Sequence, residues 1–278
     1  MRFSFKVWSV DTDWSTIRRV WTRADRQGIW HGLWINDHLY PPRSKPTGAI
    51  LDAWTLLAGA ATVTERLRIG PMVTANTFRH PAVLAKMAVT VDRISDGRLD
   101  LGIGAGWLES EHHAFGIEYG SGADRFARLE ETFEVVHGLM TSDRFSYAGR
   151  YVAIQDAAFE PKPVQQPRPP FVVGGAGPRR TIPLAARWAD HWNYPDYDFE
   201  PEQFTAAKVL LQNECRANGR DPAGVHNSVQ FRTSGDPAEV VDRAHAYREA
   251  GADEIVVSFF PPLDESSPEQ VAEALGGM

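Results

Sequence analysis

The sequence has little cysteine, no basic tract and no long apolar run. Cys215 is the single cysteine among 278 residues, so an internal disulfide is excluded and a reducing cytoplasm is expected. Lys and Arg number 29 against 36 Asp and Glu, a net charge of -7, and without a basic run nucleic acid is an unfavourable partner. No apolar stretch approaches the roughly 20 residues that span a bilayer. The first ten residues, MRFSFKVWSV, lack the apolar core and cleavage site of a signal peptide. We therefore expect a soluble cytoplasmic protein that binds no membrane.

The sequence does have a regular alternation of short apolar segments and helical segments. The pattern predicts eight strands, at 2–8, 31–36, 67–73, 98–104, 171–174, 191–194, 227–232 and 254–260. A helix is predicted after each of them, at 13–27, 50–64, 80–95, 122–141, 178–189, 201–218, 236–250 and 267–276. Strands separated by helices form a parallel sheet, and eight such units in about 250 residues favour a closed (β/α)8 TIM barrel. The expected fold class is α/β, with residues 1–278 in a single domain.

Apolar periodicity and capping residues support the helices. One apolar stripe in 122–141 consists of Phe126, Leu129, Phe133, Val136 and Met140. A similar stripe in 80–95 consists of Val83, Leu84, Met87, Val91 and Ile94. Helix starts with a cap followed by proline are predicted at Asp236-Pro237 and Ser267-Pro268. First-turn prolines are predicted at Pro81, Pro178 and Pro201.

Residues 105–170 interrupt the repeat between strands 4 and 5. They hold one helix and the segment RFSYAGRYVAI, which predicts a β-hairpin around Ala148-Gly149. The proline-rich EPKPVQQPRPP that follows is typical of an ordered return loop. We expect this region to be an insertion over the barrel mouth and not a second domain.

Glycines alternate in the segment LDLGIGAGWLESE, at Gly102, Gly104 and Gly106. Their spacing and their place after the fourth strand do not match the dinucleotide fingerprint of a Rossmann fold. Two interpretations remain open: the glycines relieve crowding at the end of a barrel strand, or the backbone passes under a flat ring.

A second glycine cluster, Gly174-Gly175-Ala176-Gly177, follows the buried strand PFVV. Pro178 is predicted to start the next helix, which places Arg179 and Arg180 in its first turn. Free N–H groups and the positive helix end form an anion site there, and the two arginines add charge. The alternative is a tight turn with two solvated arginines. TIM barrels usually bind phosphate after strands seven and eight, whereas this cluster follows the fifth.

Polar residues also follow the second and third predicted strands. WINDHLY places Asp37 and His38 at the carboxyl end of strand 2, the face that carries active sites in this fold. A histidine titrates near neutral pH, and a carboxylate next to it can fix its tautomer. MVTANTFRHP offers further hydrogen-bonding groups at the same face, from Thr74, Asn76 and Thr77. A structural Asp-His pair and an ordinary loop are the alternatives.

The remaining histidine, cysteine and tryptophan residues give weaker indications of function. His112 and His113 are adjacent and have no third ligand at metal spacing, so no metal site is expected. Cys215 is in phase with apolar neighbours in its helix and is expected in the core. Tryptophans near strand ends are expected either as pocket walls or as core, namely Trp8, Trp34 and Trp107.

Several of these segments resemble the bacterial-luciferase-like flavin and deazaflavin superfamily, in its F420-dependent oxidoreductase branch. They are GRLDLGIGAGWLESE, DHL, TFRHPAVLAK, PFVVGGAGPRRTIPLAARWADHWN and DPAEVVDRAHAYREAGADEIVVSFFPP. The resemblance implies a cofactor ring in the barrel mouth, a non-prolyl cis peptide near Met72-Val73, and catalysis by His38, with Asp37 beside it. It implies cofactor binding by Met72, Val73, Thr74, Asn76, Gly104, Ala105, Gly106, Trp107, Gly174, Gly175, Ala176, Gly177 and Arg179. Sugar-phosphate dehydrogenases of this branch carry glutamate where this chain has Trp107, which indicates a more aromatic pocket.

The resemblance favours coenzyme F420 as the cofactor and hydride transfer to or from a small organic substrate. F420 has an acidic tail, which basic side chains near the mouth would attract: Arg43, Lys45, Arg79, Arg179 and Arg180. The first alternative is an FMN-dependent monooxygenase that uses reduced flavin and oxygen, and the second is a non-catalytic flavin-binding subunit. Relatives of this kind are commonly homodimers, which we also expect here.

Overall fold

Parallel strands form the centre of the computed structural model, which describes residues 1–42, 48–260 and 262–278. The strands in these residues are β1 (Arg2–Val7), β2 (Gly32–Ile35), β3 (Arg68–Pro71), β4 (Thr74–Ala75), β5 (Leu101–Gly104), β6 (Arg144–Ala148), β7 (Ala153–Ala158), β8 (Phe171–Gly174), β9 (His191–Pro195), β10 (His226–Thr233) and β11 (Glu254–Phe259). All except β6 and β7 belong to one sheet, in the order β3-β2-β1-β11-β10-β9-β8-β5-β4.

The sheet closes into a barrel. Its neighbouring strands are parallel, and a parallel bridge between Ile69 and Leu99 joins β3 to the start of the β5 segment. β3 and β4 together are the third barrel strand, interrupted at Met72-Val73, where the peptide bond is cis, as the resemblance implied. The predicted (β/α)8 TIM barrel is therefore confirmed.

Helices surround the barrel. Those in the described residues are α1 (Trp14–Gln27), α2 (Ala53–Val63), α3 (Pro81–Ile94), α4 (Glu109–Ala114), α5 (Gly122–Thr141), α6 (Thr181–Trp188), α7 (Pro201–Ala217), α8 (Pro237–Glu249) and α9 (Ser267–Leu275). None of the helices in these residues is long and apolar enough to cross a membrane.

Two predicted helix starts are wrong. The predicted helix at 178–189 begins only at Thr181, so Pro178, Arg179 and Arg180 lie in the turn before α6 and not in its first helical turn. The predicted cap at Ser267 is also wrong: Ser267 is already helical, and the residue before it makes no capping hydrogen bond with its side chain. The cap at Asp236 is confirmed, since its side chain accepts a hydrogen bond from Ala238 N–H.

Alternate residues of each barrel strand face the barrel axis. On β1, Phe5 belongs to the core between barrel and helices. A separate cluster of Trp34, Met72, Val172 and Val256 fills the middle of the barrel. A Cβ at Gly102 would come within 2.1 Å of the Pro71 carbonyl oxygen, so glycine is required there by crowding within the protein.

The region between β5 and β8 holds the predicted hairpin and an additional short helix, α4. β6 and β7 are antiparallel, which confirms the hairpin. Its connecting loop is held by Glu131 of α5, whose carboxylate accepts hydrogen bonds from the N–H groups of Arg150, Tyr151 and Val152 at 2.7–3.0 Å. The return segment is similarly fixed, because buried Asp92 accepts a hydrogen bond from Val164 N–H at 2.7 Å.

Candidate active site

A cavity of about 330 Å³ opens at the carboxyl ends of the barrel strands. This volume lies within the range of small-molecule sites in proteins, about 300–1,000 Å³. Its walls include strand ends from β1 to β10 and residues from the region between β5 and β8. Polar or charged side chains that line it are Lys6, Asn36, Asp37, His38, Thr74, Glu111, His112, Asn193, Tyr197, Gln230 and Arg232. Apolar walls come from Trp8, Met72, Val73, Ala75, Phe78, Trp107, Phe126 and Pro195.

Asp37 binds Arg79 and, within the described residues, makes no hydrogen bond to His38. Both guanidinium nitrogens of Arg79 donate to its carboxylate, at 2.6 and 3.1 Å. Thr74 donates a short hydrogen bond to the same carboxylate and accepts one from Trp54 Nε1 at 3.0 Å. The Asp37 carboxylate is buried and binds two nitrogens of Arg79. This ion pair therefore connects the loop after the second barrel strand to the loop after the third. The sequence-based pairing of Asp37 with its neighbour His38 is therefore wrong.

His38 instead pairs with Glu111, from the unpredicted helix α4. Its Nδ1 lies 3.0 Å from Glu111 Oε2, and the side chain of Glu111 is only 1% exposed. The other carboxylate oxygen accepts hydrogen bonds from the N–H groups of Leu39 and Tyr40. With Nδ1 held by the carboxylate, Nε2 is the ring nitrogen left to exchange a proton in the cavity.

The loop from β5 to α4 places Trp107 beside this histidine. The two rings meet edge to face, with centroids 5.7 Å apart. Gly106 has φ +71, and a Cβ on it would come within 2.9 Å of Thr77 Oγ1. Thr77 in turn bonds His112 Nε2 at 2.7 Å, and His112 Nδ1 bonds the Leu108 carbonyl at 2.8 Å. Gly106 and His112 are thus structural supports of the loop that carries Trp107.

Lys6 is a buried amine in the cavity wall that the sequence analysis did not select. Its Nζ donates to the Met72 carbonyl at 2.8 Å and to Gln230 Oε1 at 3.3 Å. Burial, and secondarily the charge of Arg232, lowers the pKa of Lys6 to about 7. The sequence FKVW did contain a signal for this residue. Lys6 is a charged residue within this otherwise apolar segment, and a buried amine has a lowered pKa.

The predicted glycine sites divide into two kinds. A Cβ at Gly104 would come within 2.5 Å of Val73, so crowding within the protein explains this glycine, as it does Gly102. A Cβ at Gly174 would meet only Val73, at an ordinary 3.5 Å. Gly174 and Gly175 line the cavity. Crowding at the end of a barrel strand, the first interpretation of the glycines, therefore accounts for Gly102 and Gly104 of β5. Gly174 of β8 instead faces open space in the cavity.

The loop after β8 presents unused N–H groups and two arginines. In the described part of the chain the N–H groups of Ala176 and Gly177 donate no hydrogen bond to the backbone. Arg179 and Arg180 are exposed in the turn before α6, and Arg180 lies over the Phe126 ring at 5.8 Å. This combination of amides and cations suits an anion.

Most of the predicted site residues do line the cavity. These are Asp37, His38, Met72, Val73, Thr74, Gly104, Ala105, Gly106, Trp107, Gly174 and Gly175. Four do not line it: Asn76, Ala176, Gly177 and Arg179. Trp34 is not a pocket wall either, since it is 2% exposed in the middle of the barrel. Arg43 and Lys45 lie outside the described residues.

Orphaned amide groups test whether a bound cofactor fits this site. Asn76 is 6% exposed, and neither atom of its carboxamide has a hydrogen-bond partner in the described residues. Asn36, which lines the cavity, has a similarly unpaired Oδ1. Buried amides normally have partners. Of the two residues only Asn36 lines the cavity, so its carboxamide oxygen is the group that fits a polar ligand such as a flavin or deazaflavin.

The sequence model of the family described as luciferase-like monooxygenase matches residues 3–234. The chain belongs to this family. The family is one of oxidoreductases and monooxygenases, which the position of the cavity in the barrel also suits.

Relatives of this luciferase-like chain include a protein without an assigned activity and enzymes that use two different cofactors. It is 32% identical to "Uncharacterized protein Rv0953c" of Mycobacterium tuberculosis (strain ATCC 25618 / H37Rv), over 74% of this chain and 68% of the relative. It is 31% identical to an F420-dependent glucose-6-phosphate dehydrogenase of Microbacterium testaceum (strain StLB037), over 85% and 69%. It is 29% identical to an FMNH(2)-dependent dimethylsulfone monooxygenase of Pseudomonas putida, over 67% and 51%.

Solved structures share the fold. An F420-dependent secondary alcohol dehydrogenase in complex with an F420-acetone adduct superposes with a TM-score of 0.87. The comparison covers 98% of this chain and 97% of that one, at 18% sequence identity. At this identity, the likeness concerns the luciferase-like barrel and not the substrate.

Proposed function

We propose that this luciferase-like protein is an F420-dependent oxidoreductase that acts on a small organic molecule. The observation that carries the proposal is the His38–Glu111 pair, held inside a cavity at the carboxyl end of the barrel. When bound, F420 supplies hydride exchange at C5 of its ring. The chain must then orient the substrate, exclude water and move one proton.

His38 is the proton donor or acceptor in this proposal. Glu111 holds its Nδ1, so the proton exchanged with the substrate is carried at Nε2. The charge that His38 gains on protonation lies 3.0 Å from a carboxylate that is itself hydrogen-bonded to two backbone N–H groups. Asp37 is assigned a positioning role, since its carboxylate is bound to Arg79 and Thr74.

Aromatic side chains line the cavity near His38, but Trp107 is 55% exposed, so exclusion of water from the exchanged proton depends on the bound cofactor and substrate. Trp107 packs against the His38 ring. Trp8 lines the same cavity, and its Nε1 donates to Ser258 Oγ at 2.9 Å, which fixes its orientation. A drier cavity strengthens the electrostatic interaction between His38 and Glu111.

Charge around the loop after β8 supports F420 over FMN. Arg79 is committed to Asp37 and Asp52, so it does not count as a free cation for the acidic tail. Arg179 and Arg180 remain exposed beside the amides of Ala176 and Gly177. The relative that uses FMNH(2) keeps an FMN-dependent monooxygenase as the second candidate. A non-catalytic subunit does not require a histidine paired with a buried carboxylate at this position.

The deciding experiment is separate titration of the purified protein with F420 and with FMN. Tryptophan fluorescence reports binding, because Trp8 and Trp107 line the cavity. We expect saturable quenching with F420 and at least tenfold weaker binding of FMN. An Arg179→Gln/Arg180→Gln double variant should weaken F420 more than it weakens FMN, while Arg248→Gln on α8 should change neither.

Tight binding of FMN without F420 would overturn the cofactor assignment in favour of the monooxygenase. Failure of both cofactors to bind would remove the oxidoreductase proposal altogether. Binding of F420 at the same affinity in the double variant would refute the argument from the acidic tail.

A further inference from the structure

Three side chains with metal-binding atoms converge at the opposite, amino-terminal end of the barrel. His191, His226 and Glu254 are the first residues of β9, β10 and β11, which are hydrogen-bonded neighbours in the sheet. One potential ligand atom from each residue lies within 4.8 Å of the corresponding atoms of the other two. Sequence spacing did not show this group, because the barrel brings together residues from three separate units.

The donor set is that of a divalent transition metal. Two imidazoles and one carboxylate, with a further position left for water, are typical of zinc sites that have three protein ligands. The same set also suits other borderline divalent ions. We infer that His191, His226 and Glu254 together bind one divalent metal ion of this kind.

The hydrogen bonding of Glu254 leaves one of its carboxylate oxygens available to a cation. The residue is 2% exposed. One carboxylate oxygen accepts from His226 Nε2 at 2.8 Å. The Ser4 hydroxyl also lies near this carboxylate, yet in the described residues neither Ser4 Oγ nor Glu254 Oε1, both buried, makes a hydrogen bond. A buried carboxylate that is only partly satisfied costs free energy unless a cation or donor completes it. A metal ion bound here would complete it.

A neighbouring hydroxyl is placed to orient one of the two imidazoles. His191 Nε2 lies 2.6 Å from Ser228 Oγ, and metal-binding histidines usually have their second ring nitrogen held by a hydroxyl, carbonyl or carboxylate in this way. His226 Nδ1 lies 4.0 Å from the carboxylate of Asp253, which is too long for a hydrogen bond. The arrangement therefore supplies three ligands and a group that fixes His191.

Charge and access are also compatible with an ion. Among the described residues, two cations lie near the cluster. Arg68 is bound to Asp100 through two nitrogens, at 2.6 and 2.7 Å, so its charge is balanced, whereas Arg2 acts on His191 from the start of β1. The side chain of His226 is 23% exposed, which leaves a path from solvent. The cluster lies at the other end of the strands from the cavity, so this inference does not depend on the proposed function.

The experiment uses the full chain after removal of bound metal with a chelator. Calorimetric titration with ZnCl2 should give one ion per chain, and Co²⁺ should give the visible absorption of a site with nitrogen and oxygen ligands. Glu254→Gln and His226→Gln should each weaken zinc binding at least tenfold. His113→Gln is the control, because the side chain of His113 is 67% exposed and lies outside the cluster.

Circular dichroism of each variant checks that the barrel still folds. If Glu254→Gln does not fold, His226→Gln and the zinc stoichiometry of the unmodified chain still decide the matter. The inference is overturned if the unmodified chain binds no zinc near one equivalent. It is equally overturned if folded variants bind zinc as tightly as the unmodified chain does.

Discussion

Single residues in the cavity differ in whether the sequence could identify them. His38 was identifiable because it follows a strand at the face where TIM barrels place their sites. Its partner Glu111 was not, because the pair is 73 residues apart, and only the folded loop brings the two together. Asp37 shows the converse: adjacency in sequence indicated a pair, whereas the side chain turns to Arg79.

Replacement of His38 tests the proposed proton transfer. We expect His38→Ala to lower kcat with F420 by about 10²–10⁴-fold, the usual contribution of a positioned acid or base. Steady-state assays with F420 and a panel of small alcohols and carbonyl compounds measure this change. Glu111→Gln should give a smaller loss of kcat, because His38 would keep its imidazole while its Nδ1 would no longer face a carboxylate.

The control for the His38 variant is His113→Ala, whose side chain is exposed. It should leave kcat unchanged. Unaltered turnover in His38→Ala would show that the imidazole carries no proton in the reaction.

Lys6 provides a second residue-scale prediction, on stability and pH. Its pKa in the folded protein is about 7, against an ordinary 10.5. Between these values the unfolded chain binds a proton that the folded chain does not, so the free energy of unfolding rises with pH in this window. The slope contributed by one group is at most about 1.4 kcal/mol per pH unit.

Urea unfolding of the unmodified chain and of Lys6→Met from pH 7 to pH 10 measures this slope. Lys6→Met should lack this pH-dependent slope. Its free energy of unfolding, relative to that of the unmodified chain, should therefore be higher at pH 7 than at pH 10. Lys86→Met is the control, because Lys86 is exposed and should leave the slope unchanged. Parallel curves for Lys6→Met and the unmodified chain would contradict the prediction.

At the scale of elements, apolar periodicity predicted the positions of the helices well. It predicted less well which face of each helix is buried. Four of the five predicted α5 stripe residues are buried, namely Leu129, Phe133, Val136 and Met140, while Phe126 is half-buried and lines the cavity. On α3, however, Val83 and Ile94 are 53% and 46% exposed. The buried face of α3 includes small residues, Ala85 and Ala88, which allow close approach to the barrel but give a weak apolar signal.

Loops at strand ends were harder to predict for a related reason. Helix α4 has six residues, too few for a recognisable apolar period. The start of α6 was misplaced because proline is compatible with both a first helical turn and a preceding turn. The site depends on these short elements, which is why its outline was predictable and its hydrogen bonds were not.

The two kinds of glycine at strand ends give an element-scale prediction. Gly102→Ala should destabilise the protein by about 1–3 kcal/mol or more, since its Cβ would overlap the Pro71 carbonyl oxygen at 2.1 Å. Gly174→Ala should unfold like the unmodified chain, because its Cβ meets Val73 at an ordinary 3.5 Å.

The same Gly174→Ala change should weaken F420 binding at least tenfold, since the added methyl group would enter the cavity. Urea unfolding measures the stability of each variant, and fluorescence titration measures its affinity for F420. Normal F420 affinity in Gly174→Ala would mean that the cofactor does not contact the end of β8.

At the scale of the whole molecule, the barrel separates two polar regions. The cavity lies at the carboxyl ends of the strands, and the His191–His226–Glu254 cluster lies at their amino-terminal ends. Between them is the apolar cluster of Trp34, Met72, Val172 and Val256. This layering was not predictable, because buried parallel strands give continuous apolar runs that conceal which residues face the axis.

The cavity forms only when the barrel is closed, so ligand binding should stabilise the whole chain. Its walls come from β1 through β10, with Lys6 and Arg232 near the two ends of that series. A cofactor present at 100 times its Kd stabilises the folded state by about 2.7 kcal/mol. For a chain of this size, that corresponds to a rise in Tm on the order of 5 °C.

Thermal unfolding with and without F420, followed by circular dichroism, measures this rise. We expect one cooperative transition that moves upward as F420 is added, because the residues that bind it come from units throughout the chain. Gly174→Ala should show a much smaller rise at the same F420 concentration. A cofactor that quenches fluorescence but leaves Tm unchanged would be bound outside the cavity, since a ligand held between these strands cannot bind without opposing their separation.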